Sequence, residues 1–151
     1  MSNEAREVLN GFLSAEYGRG PDETRLIHIG ERHPETGSLH WITAWNPLGI
    51  VHDDAANAVA QRDLFAALAM AGLRVEHGFA RSPEQSDDGW REPCAIVHDA
   101  DHQSIDALAR RFRQLAVVVL EPGRRHGCAA IARCGSNASA APTWTLGTSN
   151  G

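Results

Sequence analysis

The chain has 151 residues, a formal net charge of −5 at pH 7 and a hydrophobic content of 42%, which is typical of one globular domain with a sizeable core. The acidic balance argues against nucleic-acid binding, which requires concentrated positive charge, and no apolar run approaches the ~20 residues that cross a bilayer. The polar N-terminus also lacks the apolar segment of a signal peptide. We therefore expect a cytoplasmic protein with no nucleic-acid or membrane partner.

Hydrophobic periodicity and turn residues divide the first third of the chain into one helix and two strands. Residues 3–17 have apolar positions at helical spacing, and the glycines and proline of residues 18–21 end that helix. Residues 26–29 and 39–45 have the composition of strands. Because the two strands follow each other closely, we expect them to pair as a hairpin.

The middle of the chain contains a long helix and the next strand. Asp53 or Asp54 can cap the N-terminus of the helix, and Gly72 can end it. A strand is predicted over residues 73–79. The polar residues 80–93 that follow form a long loop of the kind that is often functional.

The remaining elements predict the fold class. They are a strand, a helix capped by Asp99 or Asp101 and two further strands, over residues 94–97, 102–113, 116–120 and 128–134. The element order α-ββ-α-ββ-α-ββ indicates an α+β fold, a mixed-sheet α/β sandwich. We expect a single domain over residues 1–134, followed by a flexible tail, rich in Ser, Ala, Thr and Gly, over residues 135–151.

The segment WITAWNP, which begins at Trp41, predicts a corner at the end of a strand. Alternation places Trp41, Thr43 and Trp45 on one face of the strand. Pro47 excludes the right-handed helical conformation at Asn46 and removes a backbone donor, so the strand must end there. Asn46 is therefore held stiffly, and a fixed amide can bind a ligand at little entropic cost.

The helix after this corner carries two amides on the same face as its leucines. Asn57, Gln61, Leu64 and Leu68 are spaced so that they share one stripe of the helix. Since the leucines face the core, the two amides should point towards the Asn46 corner. Together with the helix N-terminus, which favours anions, they would suit a small polar ligand with an acidic group. Alternatively, the amides only satisfy the backbone of the loop before the helix.

Four motifs in order resemble a bacterial family of unknown function. They are WITAWNP, residues 57–64, GWREP at residues 89–93 and ARRFRQLAV at residues 109–117. Together they resemble the family DUF3293 over about residues 24–133. The resemblance implies no activity. It implies that the residues at the family's motif positions are Thr43, Ala44, Asn46, Pro47, Asn57, Glu92, Pro93, Phe112, Gln114 and Ala116.

Two further residues of these motifs are candidates for the same site. Glu92, fixed before Pro93, could act as a general base or accept a hydrogen bond from a ligand amine. It could equally pair with Arg62 or Arg91. Gln114 is expected in the turn after the third helix, where it could bond to the backbone or face the same pocket.

No cofactor and no metal site is predicted. Cys94, Cys128 and Cys134 match no zinc spacing. His98 and His102 are separated by an expected helix cap and do not share a helix. The sequence contains no phosphate-binding loop, dinucleotide-binding motif or nucleophile elbow.

The sequence therefore favours a pocket for a small polar molecule. The predicted ligand-binding residues are Thr43, Trp45, Asn46, Asn57, Gln61, Glu92 and Gln114, with Trp41, Trp45 or Trp90 as an apolar wall. One alternative is a partner-binding or regulatory module that uses residues 80–93, and another is a small hydrolase or lyase with Glu92 as its acid–base group. The pocket requires the side chains of Asn46, Asn57 and Glu92 to converge.

Overall fold

A computed structural model of the chain describes residues 3–20, 22–31, 37–83, 89–121 and 129–134. Its helices are α1 (Asn3–Ser14), α2 (Asp54–Met70) and α3 (His102–Arg111). Its strands are β1 (Glu16–Arg19), β2 (Asp22–Ile27), β3 (Leu39–Ile42), β4 (Arg74–Arg81), β5 (Arg91–His98), β6 (Ala116–Glu121) and β7 (Ala129–Cys134). A 3₁₀ turn, Pro47–Gly49, lies between β3 and α2. The predicted tail, residues 135–151, lies outside the described residues.

The seven strands form one sheet in the order β2-β1-β4-β5-β3-β6-β7. The predicted α+β class is confirmed, with the difference that every pairing between the described strands is antiparallel. Within the described residues, no helix combines the length and the apolar character needed to cross a membrane.

Strand β1 is the main departure from the predicted element order. The first helix ends at Ser14, not at residue 17, and Glu16–Arg19 forms a strand between β2 and β4. The predicted hairpin of residues 26–29 with residues 39–45 is wrong, because β2 pairs with β1 while β3 pairs with β5 and β6. The partners of a strand depend on non-local packing, which the local pattern does not contain.

The predicted helix boundaries are confirmed at three of their ends. Asp53 caps α2 by accepting a hydrogen bond from Ala56 N at 2.7 Å, and Asp101 caps α3 by accepting one from Ser104 N at 2.8 Å. Gly72, with φ +70°, follows the end of α2 in the left-handed conformation that favours glycine.

The loop predicted over residues 80–93 is shorter than expected. Strand β4 continues to Arg81, and β5 begins opposite it at Arg91. Glu92 therefore belongs to β5, where it lies opposite Ala80 on β4. Residues 84–88 of the connection lie outside the described residues.

The sheet separates two hydrophobic clusters, because successive residues of a strand point to opposite faces. On one face Trp41, Ile96 and Val118 pack with residues of the α1 segment. On the other face Ile42, Ala95, Val97 and Val117 pack against Leu64 and Leu68 of α2 and Ile105 and Ala109 of α3. Side chains of α2 that reach the end of β3 therefore approach it from the face opposite to α1.

A charged network connects β1, β4 and β5. The Glu76 carboxylate accepts hydrogen bonds from Arg19 Nε at 2.7 Å and Arg19 Nη2 at 3.0 Å, and it lies 2.6 Å from His98 Nε2. The hydrogen bond from Arg19, supported by His98, lowers the pKa of Glu76 below its ordinary value against an opposing effect of burial.

We expect Glu76→Gln to lower the free energy of unfolding by about 1 kcal/mol at neutral pH, since the pair is partly exposed and screened by solvent. A depressed folded pKa stabilises the protein above the unfolded value of 4.5, and this stabilisation is lost as the pH falls through the lower folded pKa. Urea titrations at neutral and acidic pH measure the difference between wild type and variant. Glu7→Gln, at an exposed position, is the control. If the stability difference between wild type and Glu76→Gln persists in acid, it does not come from the ionised Glu76 carboxylate.

Candidate functional site

A cavity of about 230 Å³ opens on the α1 face of the sheet, beside the Asn46–Pro47 corner. Its polar lining residues are Tyr17, Thr43, Asn46, Glu92, Cys94 and Gln114. Its aromatic walls also include Phe12, Trp41, Trp45 and Trp90.

The structure divides the predicted ligand-binding residues into two groups. Thr43, Trp45, Asn46, Glu92 and Gln114 line the cavity. Asn57 and Gln61 are buried on α2 and are not among the lining residues; they reach the corner from the opposite face of the sheet. The sequence left open whether these two amides contact a ligand or satisfy backbone groups, and their hydrogen bonds favour the second role.

Asn57 fixes the conformation and orientation of Asn46, which is left-handed with φ 46° and ψ 62°. Asn57 Oδ1 accepts a hydrogen bond from Asn46 N at 2.9 Å, and Asn57 Nδ2 donates one to Asn46 Oδ1 at 2.9 Å. His52 N also donates to Asn46 Oδ1, at 3.0 Å. With its oxygen bound twice, Asn46 has only its NH₂ group to offer Glu92, which lines the same cavity and whose pKa hydrogen bonding to Asn46 lowers. Asn46, Asn57 and Glu92 therefore converge.

Gln61 and Thr43 connect β3 to β5 beyond the end of the backbone ladder. Regular pairing of β3 stops at Ile42 and does not continue to residue 45 as predicted. Ala44 N donates to Gln61 Oε1 at 2.9 Å, and Gln61 Nε2 donates to Pro93 O at 3.2 Å. The Thr43 hydroxyl donates to the same carbonyl at 2.9 Å. These side chains satisfy backbone groups that a longer strand would have paired.

Glu92 is the one charged side chain among the described residues that line the cavity. Burial raises its pKa, and the hydrogen bond from Asn46 offsets part of this rise. Burial, with the Glu92 charge nearby, also raises the pKa of Tyr17 and of Cys94, so both groups are neutral at pH 7. A neutral thiol is a poor nucleophile, and Cys94 is therefore not activated for catalysis.

Gln114 is 7% exposed and has a fixed orientation. Its Nε2 donates to Trp45 O at 3.1 Å and to Phe112 O at 3.2 Å. Because a carbonyl oxygen only accepts hydrogen bonds, the amide cannot turn its own oxygen towards these two partners. Gln114 Oε1 is consequently left as an acceptor without a donor among the described residues.

The backbone beside the cavity holds non-glycine residues in the left-handed region. Leu48 has φ 59° and Arg113 has φ 54°, in addition to Asn46. Leu48 N donates to Arg113 O at 2.7 Å, so the strained segments support each other. Strain of this kind persists where the surroundings enforce it and often marks functional sites.

The cavity also contains residues that sequence analysis missed. Gly11 and Phe12 of α1 and Tyr17 of β1 close it on one side, and the Tyr17 hydroxyl donates to Phe12 O at 2.7 Å. The sequence assigned all three to one long helix and gave no local signal that the chain turns back over the sheet. Their contribution follows from the pairing of β1 with β4.

The N-terminus of α2, expected to attract an acidic ligand, is not part of the cavity lining. Asp53 already accepts the backbone hydrogen bond there, and Asp54 adds a second negative charge. The described part of the chain also contains no group of three or more His, Cys, Asp or Glu side chains placed to hold a metal ion.

Comparison with known proteins identifies a family and no characterised relative. No curated protein and no solved structure matches the chain. A family model described as a protein of unknown function, DUF3293, matches residues 42–117. This match is shorter than the expected 24–133, yet it contains every predicted ligand-binding residue and excludes α1, β1 and β2. Because the match extends over half of the chain, the protein belongs to the DUF3293 family, as its motifs indicated.

Proposed function

We propose that the protein binds a small polar molecule in the cavity at the Asn46–Pro47 corner. Asn46, Glu92 and Gln114 supply the polar contacts, and the tryptophans supply an apolar wall. Asn57 and Gln61 position this corner from the opposite face of the sheet. A cytoplasmic location agrees with the free thiol of the buried Cys94.

One observation carries the proposal: a carboxylate stands in a largely aromatic cavity, beside amides whose orientations are fixed by other hydrogen bonds. Glu92 is half-buried, and partial burial of its charge costs free energy. The left-handed backbone conformation at Asn46 and Arg113 adds a further cost in free energy. Stability alone would favour apolar residues and relaxed backbone here, whereas ligand pockets combine apolar walls with a few fixed polar groups.

A small hydrolase or lyase is the second candidate function. Burial raises the pKa of Glu92 towards the range in which a carboxyl group serves as a general acid or base. The alternative of a partner-binding surface in residues 80–93 rests on Trp90, which is 39% exposed. Because Trp90 also lines the cavity, ligand binding already accounts for its position.

A thermal-shift screen of the full chain against amines, amino acids, small carboxylic acids and neutral polar compounds tests the proposal. A ligand at about 100 times its Kd stabilises by about 2.7 kcal/mol, which raises the Tm of a domain of this size by roughly 5–10 °C. Each hit is then incubated with the protein and followed by NMR, since turnover of the compound would favour the hydrolase or lyase.

The blocking variant is Gly11→Leu. Gly11 lines the cavity, and a Cβ at this position would meet no described atom within 4 Å, so a leucine side chain has room to enter. Asn10→Leu, on the exposed side of the same helix, is the matched control. We expect the compounds found in the screen to raise the Tm of the wild type and of Asn10→Leu but not that of Gly11→Leu. A screen without hits, or hits that survive the blocking variant, would refute the proposed site.

A further inference from the structure

The cavity presents hydrogen-bond acceptors to a ligand. Gln114 Oε1 is held by the two hydrogen bonds that its own NH₂ group donates, and it has no donor among the described residues. The Glu92 carboxylate receives a hydrogen bond from the neutral Asn46 amide. A carboxylate can accept about four hydrogen bonds, so it can accept further donors. A ligand that binds these two acceptors is a hydrogen-bond donor. The lining also contains one buried donor without a partner among the described residues, Trp45 Nε1, which could bind an acceptor on the same ligand.

The charge in the cavity is negative. Glu92 is the one acid among the described lining residues whose ionised form is negative near neutral pH, and none of them is Arg, Lys or His. The arginines next to it in the sheet are engaged elsewhere: Arg91 lies over the Phe79 ring at 4.1 Å, and Arg81 Nε lies 3.5 Å from Glu16 Oε1. An anionic ligand would meet repulsion from Glu92, whereas a cation would neutralise it.

The walls of the cavity also suit a cation. Trp41, Trp45 and Trp90 line it together with Tyr17 and Phe12. The faces of aromatic rings carry negative charge density and attract ammonium groups, and tryptophan does so most strongly. Proteins recognise small organic cations such as choline with cages of aromatic side chains.

We propose that the ligand is a small protonated amine, whose N–H groups are bound by Glu92 and Gln114 Oε1 and whose charge lies among the tryptophan rings. This inference rests on the proposed function and specifies its ligand class. The cavity of about 230 Å³ limits the size of the amine, since it is smaller than the roughly 300–1,000 Å³ typical of pockets for drug-sized ligands.

Matched four-carbon probes test the proposal: n-butylammonium, n-butanol and butyrate, titrated into the ¹⁵N-labelled full chain and followed by NMR. We expect butylammonium to perturb the amide resonances around the cavity and to bind at least tenfold more tightly than the alcohol or the acid. Tetramethylammonium carries the same charge without N–H donors and should bind more weakly than butylammonium.

Glu92→Gln keeps the shape of the side chain and removes its charge. A hydrogen bond to a charged group contributes enough that its loss should weaken butylammonium binding by about tenfold or more. The control is Asp63→Asn, on the exposed side of α2, which removes an equal charge outside the cavity and should leave the affinity for butylammonium unchanged. Glu92→Gln should also fold, because it removes a half-buried charge and keeps the volume of the side chain.

The outcomes separate this inference from the proposed function. If butanol or butyrate binds in the cavity as tightly as butylammonium, the inference that the ligand is an amine is refuted, but the proposal that the cavity binds a small polar molecule is not. Butylammonium binding that is unchanged in Glu92→Gln, or equalled by tetramethylammonium, would overturn the assigned contacts. If no probe binds and the wider screen yields no compound that Gly11→Leu blocks, both proposals fail.

Discussion

Replacing Asn57 by alanine is expected to lower the free energy of unfolding by about 3 kcal/mol, because three part-buried hydrogen bonds are lost at once. Asn57 is 2% exposed. Its side-chain amide accepts a hydrogen bond from Asn46 N and donates hydrogen bonds to Asn46 Oδ1 and His52 O. For a domain of this size the loss corresponds to a decrease in Tm of roughly 10 °C.

Asn57→Asp distinguishes hydrogen bonding from simple loss of volume. Aspartate keeps the acceptor for Asn46 N but places an oxygen opposite Asn46 Oδ1 and His52 O, where a donor is needed. We expect a loss at neutral pH at least as large as that of Asn57→Ala. Urea unfolding measures both variants, with Asn10→Ala on the exposed side of α1 as the neutral control. Near-wild-type stability of Asn57→Asp would show that the NH₂ group of Asn57 contributes little.

The same residue shows how much of the site could be predicted from the sequence. The helical stripe that contains Asn57 and Gln61 predicted correctly that both amides reach the Asn46 corner. It could not predict what they bind there, because an amide near a strand end can equally contact a ligand or the backbone. Whether these amides contact a ligand or the backbone depends on the face of the sheet on which α2 packs. The alternation of side chains within one strand does not indicate which face that is.

Prediction of the fold from the sequence is limited in a similar way, because local features could be predicted and non-local strand pairing could not. Caps such as Asp53 and the stop at Gly72 are local, since each depends on the conformation of a few neighbouring residues. The pairing of β1 with β4, by contrast, joins segments about 60 residues apart along the chain, such as Tyr17 and Ala80. The lining residues that belong to local motifs, such as Asn46 and Glu92, were therefore predicted, and the side of the cavity contributed by α1 and β1 was not.

Gly78 controls that unpredicted side of the cavity, and Gly78→Ala is expected to lower both the stability of the protein and its affinity for a ligand. A Cβ at Gly78 would lie 2.7 Å from the backbone oxygen of Gly18 and 2.5 Å from Ile96 Cδ1. A side chain such as Ile96 can move, but the Gly18 carbonyl is held in the β1–β4 pairing. It also accepts a hydrogen bond from Trp41 Nε1 at 3.2 Å. Alanine therefore forces β1 away from β4 and separates Trp41 from its acceptor.

Overpacking of this kind costs about 1–3 kcal/mol, and the loss of a buried hydrogen bond adds about 1 kcal/mol. We therefore expect Gly78→Ala to lower the free energy of unfolding by about 2–4 kcal/mol, measured by urea unfolding. Gly89→Ala is the control, because a Cβ there would meet no described atom within 4 Å, and it should stay within about 0.5 kcal/mol of wild type.

The functional consequence follows from the position of β1. Displacing this strand moves Tyr17 and α1, which close one side of the cavity, and releases the ring of Trp41 on another. Below its Tm, folded Gly78→Ala should therefore bind any cavity ligand more weakly than wild type, while Gly89→Ala binds it equally well. If Gly78→Ala were as stable as wild type and bound the ligand unchanged, the close approach of Gly18 to Gly78 would not be what positions the α1 side of the pocket.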